Sequence, residues 1–115
     1  MPKISEFQIQ RAVCIHLREH AHPDVVWWHT PNGGARDVRE GVAFKQAGVL
    51  PGIPDLLFLH RGRLFGLELK DENGRLSASQ IEIAGRLQAQ GALWAWANSL
   101  AGAKAQLVAW GLVNC

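Results

Sequence analysis

Apolar residues recur at helical spacing near the start of the chain, where Ile9, Val13 and Leu17 fall on one face. Ser5 precedes them with Gln8 three positions on, the form of a capping box, and Ile4 and Ile9 occupy the two positions of a hydrophobic staple. A helix over residues 5–21 is predicted, ended by Pro23-Asp24. Val25-Val26-Trp27-Trp28-His29 is β-branched and aromatic and predicts a short strand. Residues 37–47 predict a second helix, with Val38, Val42 and Phe44 inward and Gly48 as its left-handed stop. Two runs, 56–60 and 64–70, are apolar at nearly every position and predict strands buried on both faces, joined at Arg61-Gly62-Arg63. A second capping box, Ser77 with Gln80, opens a helix to residue 90, with Ile81, Ile83, Ala84 and Leu87 as its buried stripe and Gly91 as its stop. Residues 92–97 predict a fourth strand, and Ser99 caps a last helix through residue 108. The order α-β-α-β-β-α-β-α predicts an α/β fold, a mixed central sheet flanked by helices, in one domain over residues 1–115.

Composition narrows the class. Hydrophobic residues at 48% and charged residues at 19% fit a folded soluble domain and exclude a disordered chain. No apolar run approaches the roughly 20 residues that span a bilayer, and the N-terminus lacks the pattern of a secretion signal, so a cytoplasmic location and no membrane partner are expected. Cys14 in a helical pattern and Cys115 at the last position predict a small core residue and a tail, not a disulfide framework or a zinc site. The net charge of +2 says little, whereas placement says more. Arg36, Arg39, Lys45, Arg61, Arg63 and Arg75 fall in or beside loops and the turn, where they either meet phosphates or form a solvated basic surface. The loop Thr30-Pro-Asn32-Gly33-Gly34-Ala-Arg36 has two glycines that free the backbone for close approach, so with His29 and Arg36 beside it it either turns the chain or contacts phosphate.

The chemistry concentrates in residues 51–70. A two-residue turn at Arg61-Gly62 sets Asp55 opposite Glu68, and a turn at Gly62-Arg63 sets it opposite Lys70. Either register leaves Asp55, Glu68 and Lys70 on one face, whereas a three-residue loop sets Leu69 opposite Asp55 and scatters them. Two acids and a lysine in apolar strands are costly unless paired or bound to metal. Two neighbouring carboxylates call for a cation between them, and Mg²⁺, with its preference for hard oxygen ligands and water, meets that need. The Leu69 carbonyl is a further candidate ligand. Such an ion activates water for attack on phosphorus, and Lys70 beside it orients that water or stabilises the transition state as a point charge.

These residues resemble the VRR-NUC branch of the PD-(D/E)xK nuclease superfamily, in its small stand-alone phage and bacterial form. The resemblance rests on Glu6 with Gln10, the His29-Thr-Pro-Asn-Gly-Gly loop, and Lys45 and Gly48 ahead of Pro51-Gly-Ile-Pro-Asp55-Leu. Glu68-Leu-Lys70, Gly74-Arg75-Leu-Ser77 with Gln80, and Trp110-Gly complete it. It implies a restriction-endonuclease-like core in which Asp55 and Glu68 bind Mg²⁺ or Mn²⁺, Lys70 is catalytic, Glu6 is the helix-borne acid completing the site, and Gln80 is an accessory polar residue. It further implies DNA as substrate, branched DNA such as four-way (Holliday) junctions in particular, and a homodimer in a bacterial or phage-infected cell. Trp27, Trp28 and Trp94 are expected in the core, with the dimer interface as the alternative. The competing readings are an inert DNA-binding protein of the same fold, a nuclease of flaps or ends, and a sequence-specific restriction enzyme, for which no inserted base-reading segment is visible.

Overall fold

The turn between the two central strands decides the register of everything around it. In a computed structural model that describes residues 3–31 and 38–114, Arg61 and Gly62 have φ of 52° and 78°. Two successive left-handed residues make the primed turn that matches strand twist, so the hairpin closes on two residues. Strand β2 (Leu56–His60) pairs antiparallel with β3 (Arg63–Leu69), His60 facing Arg63 and Leu56 facing Leu67. Of the two registers open from sequence, this is the one that brings Asp55 opposite Glu68. Arg61 is the non-glycine residue with positive φ among those described, and it has no local side-chain bond that would favour that conformation. Arg61→Asn is expected to stabilise the protein by about 0.5–1 kcal/mol, because asparagine tolerates the left-handed region better. A urea midpoint that rises at unchanged m would register it; no shift would mean that the exposed Arg61–Asp24 contact at 3.6 Å offsets the strain.

Strand β1 (Val26–His29) joins antiparallel on the far side of β2, and β4 (Leu93–Ala97) lies parallel to β3, giving the order β1-β2-β3-β4. A parallel neighbour requires a crossover, supplied by helix α3 (Ala78–Ala89). Helices α1 (Glu6–His20) and α4 (Leu100–Ala109) cover one face of the sheet. Ile9, Val13 and Leu17 of α1 meet Leu56, Phe58, Phe65, Leu67 and Leu69 there, with Ala103 and Leu107 of α4. The expected capping boxes at Ser5/Gln8 and Ser77/Gln80 are both formed, and Ser99 caps α4 through the Gly102 amide. The observed α/β architecture matches the predicted order element for element. No helix among the described residues is long and apolar enough to cross a membrane.

Local pattern misplaced several side chains. Helix α2 (Val38–Gln46) forms, and Gly48 is left-handed as expected, but Val42 and Phe44 are exposed rather than inward. Among the described residues α2 makes no extended contact with the sheet, so Val42 and Phe44 are not drawn into the α1/α4 core. Val38's side chain falls outside the described residues. Ile81 of α3 is also exposed, because that helix buries Ile83 and Ala84. Ile4 is largely exposed beside a buried Ile9, leaving the staple half made. Of the tryptophans expected in the core, Trp27 is half-buried and packs against it, Trp94 is half-buried and Trp28 is exposed, whereas Trp110 packs on Phe58 and Phe65. Cys14 is half-buried against the core and accepts from Gln10 at 3.4 Å. Cys115 lies outside the described residues.

Candidate metal centre

Pro54 ends the irregular stretch before β2 and lies across Gly66 of β3, where a Cβ would come within 2.8 Å of the proline Cγ. Glycine in an apolar strand here permits close approach, and it lets residue 55 enter at the strand end. Asp55 is then held from two sides. Its carbonyl accepts the Thr30 amide at 2.9 Å and the His29 Nδ1–H at 2.7 Å, both from the end of β1. Its Oδ2 accepts the Leu69 amide at 2.9 Å, so the carboxylate binds the next main-chain donor of β3 beyond the ladder. Lys70 is half-buried just beyond, its amide donating to the Ala97 carbonyl at the end of β4.

Glu68 alternates with Leu67 and Leu69, so it leaves the sheet on the face opposite to the α1/α4 core. It is 2% exposed, the buried charged residue among those described. One carboxylate oxygen from each of Glu6, Asp55 and Glu68 lies within 4.8 Å of the others. Burial chiefly, then the Asp55 carboxylate as hydrogen-bond partner and like charge, pushes the Glu68 carboxyl up to about 9, with Lys70 pulling the other way. Glu6, on the first turn of α1, is raised by burial and by Asp55, with Lys70 again opposing.

The donor set fits a hard divalent cation. Glu68 Oε2 is buried with no hydrogen-bond partner, the one such side-chain oxygen among the described residues. A partnerless buried carboxylate oxygen beside two further carboxylates is costly, and a cation relieves both the desolvation and the repulsion. All-oxygen donors favour Mg²⁺ or Mn²⁺ over softer metals.

Neither family models nor curated proteins match the chain. A solved structure of a VRR_NUC domain protein does, with a TM-score of 0.74 over 93% of this chain and 88% of the other at 19% identity. The chain has the VRR-NUC fold.

On that VRR-NUC frame the residues singled out from sequence divide into three groups. Glu6, Asp55 and Glu68 meet, with the Leu69 backbone and Lys70 alongside. His29 is exposed and its ring braces Asp55. Gln80 is tied up locally, its Oε1 accepting the Ser77 amide at 2.8 Å, and it lines a cleft together with Lys45 of α2. Arg75 is exposed in the segment leading to α3. Asn32, Gly33, Gly34 and Arg36 lie outside the described residues. Arg61 and Arg63 sit at the opposite end of the hairpin, about 17 Å along the strand from Asp55, where Arg61 and His60 contact Asp24.

Other positions of the VRR-NUC frame were not singled out from sequence. Asp71, read as part of a polar turn, accepts the Asn73 amide and pairs with Lys3 at 3.2 Å, and its charge adds to that felt by Glu6. Gly66 carried a legible signal, a glycine inside an apolar strand, which marks a close backbone approach. Gly52 carried only the general mark of a Pro/Gly-rich loop.

Proposed function

We propose that residues 1–115 form a metal-dependent nuclease domain that hydrolyses phosphodiester bonds in DNA, acting on branched DNA such as four-way junctions as a homodimer. The observation that carries this reading is the buried, partnerless Glu68 Oε2 within a three-carboxylate cluster on a VRR-NUC fold. Asp55 and Glu68 are the ligands, with Glu6 and the Leu69 carbonyl completing the set, and Mg²⁺ or Mn²⁺ is the ion. The bound ion supplies Lewis acidity, which activates water and offsets negative charge on the phosphate oxygens. The chain's own groups do the rest. The Leu69 amide and the two donors on the Asp55 carbonyl fix that acid in one orientation before substrate arrives. Lys70 places a positive charge beside the carboxylates, where it orients the attacking water and stabilises charge that grows toward the transition state. His29, Lys45 and Arg75, with Asn32, Gly33, Gly34 and Arg36, contact the DNA backbone. Gln80 serves as an accessory polar group from the first turn of α3.

The homodimer reading draws support from exposed aromatic surface on both edge strands, Trp28 on β1 at 41% and Trp96 on β4 at 43%. A dimer of this kind presents two sites to a symmetric junction.

The test is cleavage of linear duplex, flap and four-way junction DNA in Mg²⁺, Mn²⁺ or EDTA, beside Asp55→Asn and Lys70→Ala. Cutting is expected only with metal, with a loss of roughly a thousandfold in either variant. Persistence of cleavage in EDTA or in the variants removes the site, and equal cutting of duplex and junction removes the preference for branches. Light scattering that reports a monomer at working concentration removes the dimer.

A further inference from the structure

A second recess opens beside the carboxylates. It is a cleft of about 390 Å³ between α2, the 49–53 segment and the first turn of α3. Phe44, Val49, Leu50 and Ile53 form its apolar walls, and Lys45 and Ser79 are on its polar rim. The Phe44 side is 40% exposed and Leu50 42%, so a substantial apolar surface faces solvent here. Lys45 is the charged group among the described lining residues, and none of those is an acid. Ile53 stands two residues before Asp55, a backbone span of about 7 Å at most, so the cleft adjoins the carboxylate cluster.

Resting on the nuclease reading, we infer that this cleft takes one unpaired nucleobase of the DNA substrate, stacked on the Phe44 ring with its phosphate toward Lys45. A volume of about 390 Å³ accommodates one nucleobase. An aromatic wall binds a base of any sequence through its π-face, at about 1–3 kcal/mol per stacked base, and a basic rim tracks the backbone. A base inside a duplex is already stacked on both sides and cannot enter, so the ligand is a nucleotide at a bulge, gap or branch point. The larger groove between the first turns of α1 and α4 has Lys3 and Glu72 both in its lining and lacks that bias toward a polyanion. Phe44 is thereby a specificity residue, selecting DNA in which a nucleotide has left the helix.

The experiment is fluorescence anisotropy in EDTA, so that binding is read without cleavage, with a fully paired duplex and the same duplex carrying one bulged nucleotide. Wild type is expected to bind the bulged DNA more tightly. Phe44→Ala is expected to lose about tenfold in affinity for bulged DNA and to leave the paired duplex within about twofold. Phe44→Trp keeps the preference; Phe44→Leu, with apolar bulk and no aromatic face, loses it. Because Phe44 is exposed on a helix that makes no extended contact with the sheet among the described residues, these variants are expected to fold, with circular dichroism as the check. Equal wild-type affinity for the two DNAs, or Phe44→Leu binding like wild type, overturns the inference and leaves the nuclease reading standing. Failure of wild type to bind either DNA in EDTA also overturns the inference, whereas the nuclease reading falls only if cleavage with Mg²⁺ or Mn²⁺ is absent.

Discussion

Glu68→Gln is expected to abolish cleavage and, in metal-free buffer above neutral pH, to make the protein more stable than wild type. The two effects share one cause. Glu68 is buried beside Asp55 and its carboxyl is pushed up to about 9, so the folded metal-free protein holds a proton there that the unfolded chain has already lost. Below the ordinary carboxylate range both states are protonated and the contribution is fully present. As pH rises the unfolded chain ionises first, and stability falls by up to about 1.4 kcal/mol per pH unit until the folded carboxyl also ionises near 9. Glutamine keeps the shape, has no proton to lose, and removes that slope. His16 runs the other way, since burial and the neighbouring His20 and Lys104 lower it, so its contribution is gained as pH rises toward the ordinary histidine range. Asp24 and Asp71, both lowered, are complete by the same point. Glu6, also raised, is common to both proteins, so the difference between wild type and Glu68→Gln in urea unfolding in EDTA between pH 7 and 9 isolates Glu68. Parallel stability curves for wild type and variant across that window would refute the account.

Metal should reverse the order of the two proteins. Mg²⁺ or Mn²⁺ binding requires Glu68 to ionise, so near pH 7.5 wild type is expected to release close to one proton per ion bound and to gain stability, while Glu68→Gln does neither. Titration calorimetry in buffers of different ionisation enthalpy reads the proton directly. A wild type that binds metal with no proton release would place the ion elsewhere.

The second large effect is expected at Gly52. Its φ is +90°, where an L side chain is strained, and a Cβ there would run into the Ser79 carbonyl on the first turn of α3. Both obstacles are backbone, so neither yields by a rotamer change. Gly52→Ala is expected to cost about 3 kcal/mol or more, and to lower Tm by roughly 10 °C. Gly91 is the control, with φ +95° and nothing within 4 Å of a built Cβ. Gly91→Ala should cost only the strain, about 1–2 kcal/mol. If the two substitutions cost the same, the contact between residue 52 and α3 is not made, and the cleft beside it loses one wall. If Gly52→Ala is worse, as expected, the segment leading into Asp55 is braced by the helix behind it.

What was legible in the sequence follows the range of the forces involved. Caps, the left-handed stop at Gly48 and the element order are decided within a few residues, and they were readable from Ser5, Gln8, Ser77, Gln80 and the glycines themselves. The hairpin could be narrowed to two registers because a two-residue turn fixes pairing, and Arg61 with φ of 52° selects one of them. The exposed positions of Val42, Phe44, Ile81 and Trp28 were not readable. Periodicity tells which residues share a face, and says nothing of whether another element comes to cover it. Helix α2 has an apolar side and, among the described residues, no extended contact with the sheet. Glu6 belongs with Asp55 and Glu68 through the packing of α1, a contact separated by some fifty residues of chain that no local pattern encodes. The bracing of Asp55 by Thr30 and His29 depends in the same way on β1 finding its place at the edge of the sheet.

Two of the three groups that hold Asp55, the Thr30 and Leu69 amides, belong to the main chain. A main-chain donor is present whatever side chain its residue bears, proline apart. Substitution at positions 30 and 69 therefore leaves both tethers in place, and the aspartate's aim is insulated from drift in its neighbours. A frame held in this manner lets the surrounding sequence diverge widely without moving the acid, which is compatible with a fold shared over 93% of the chain at only 19% identity.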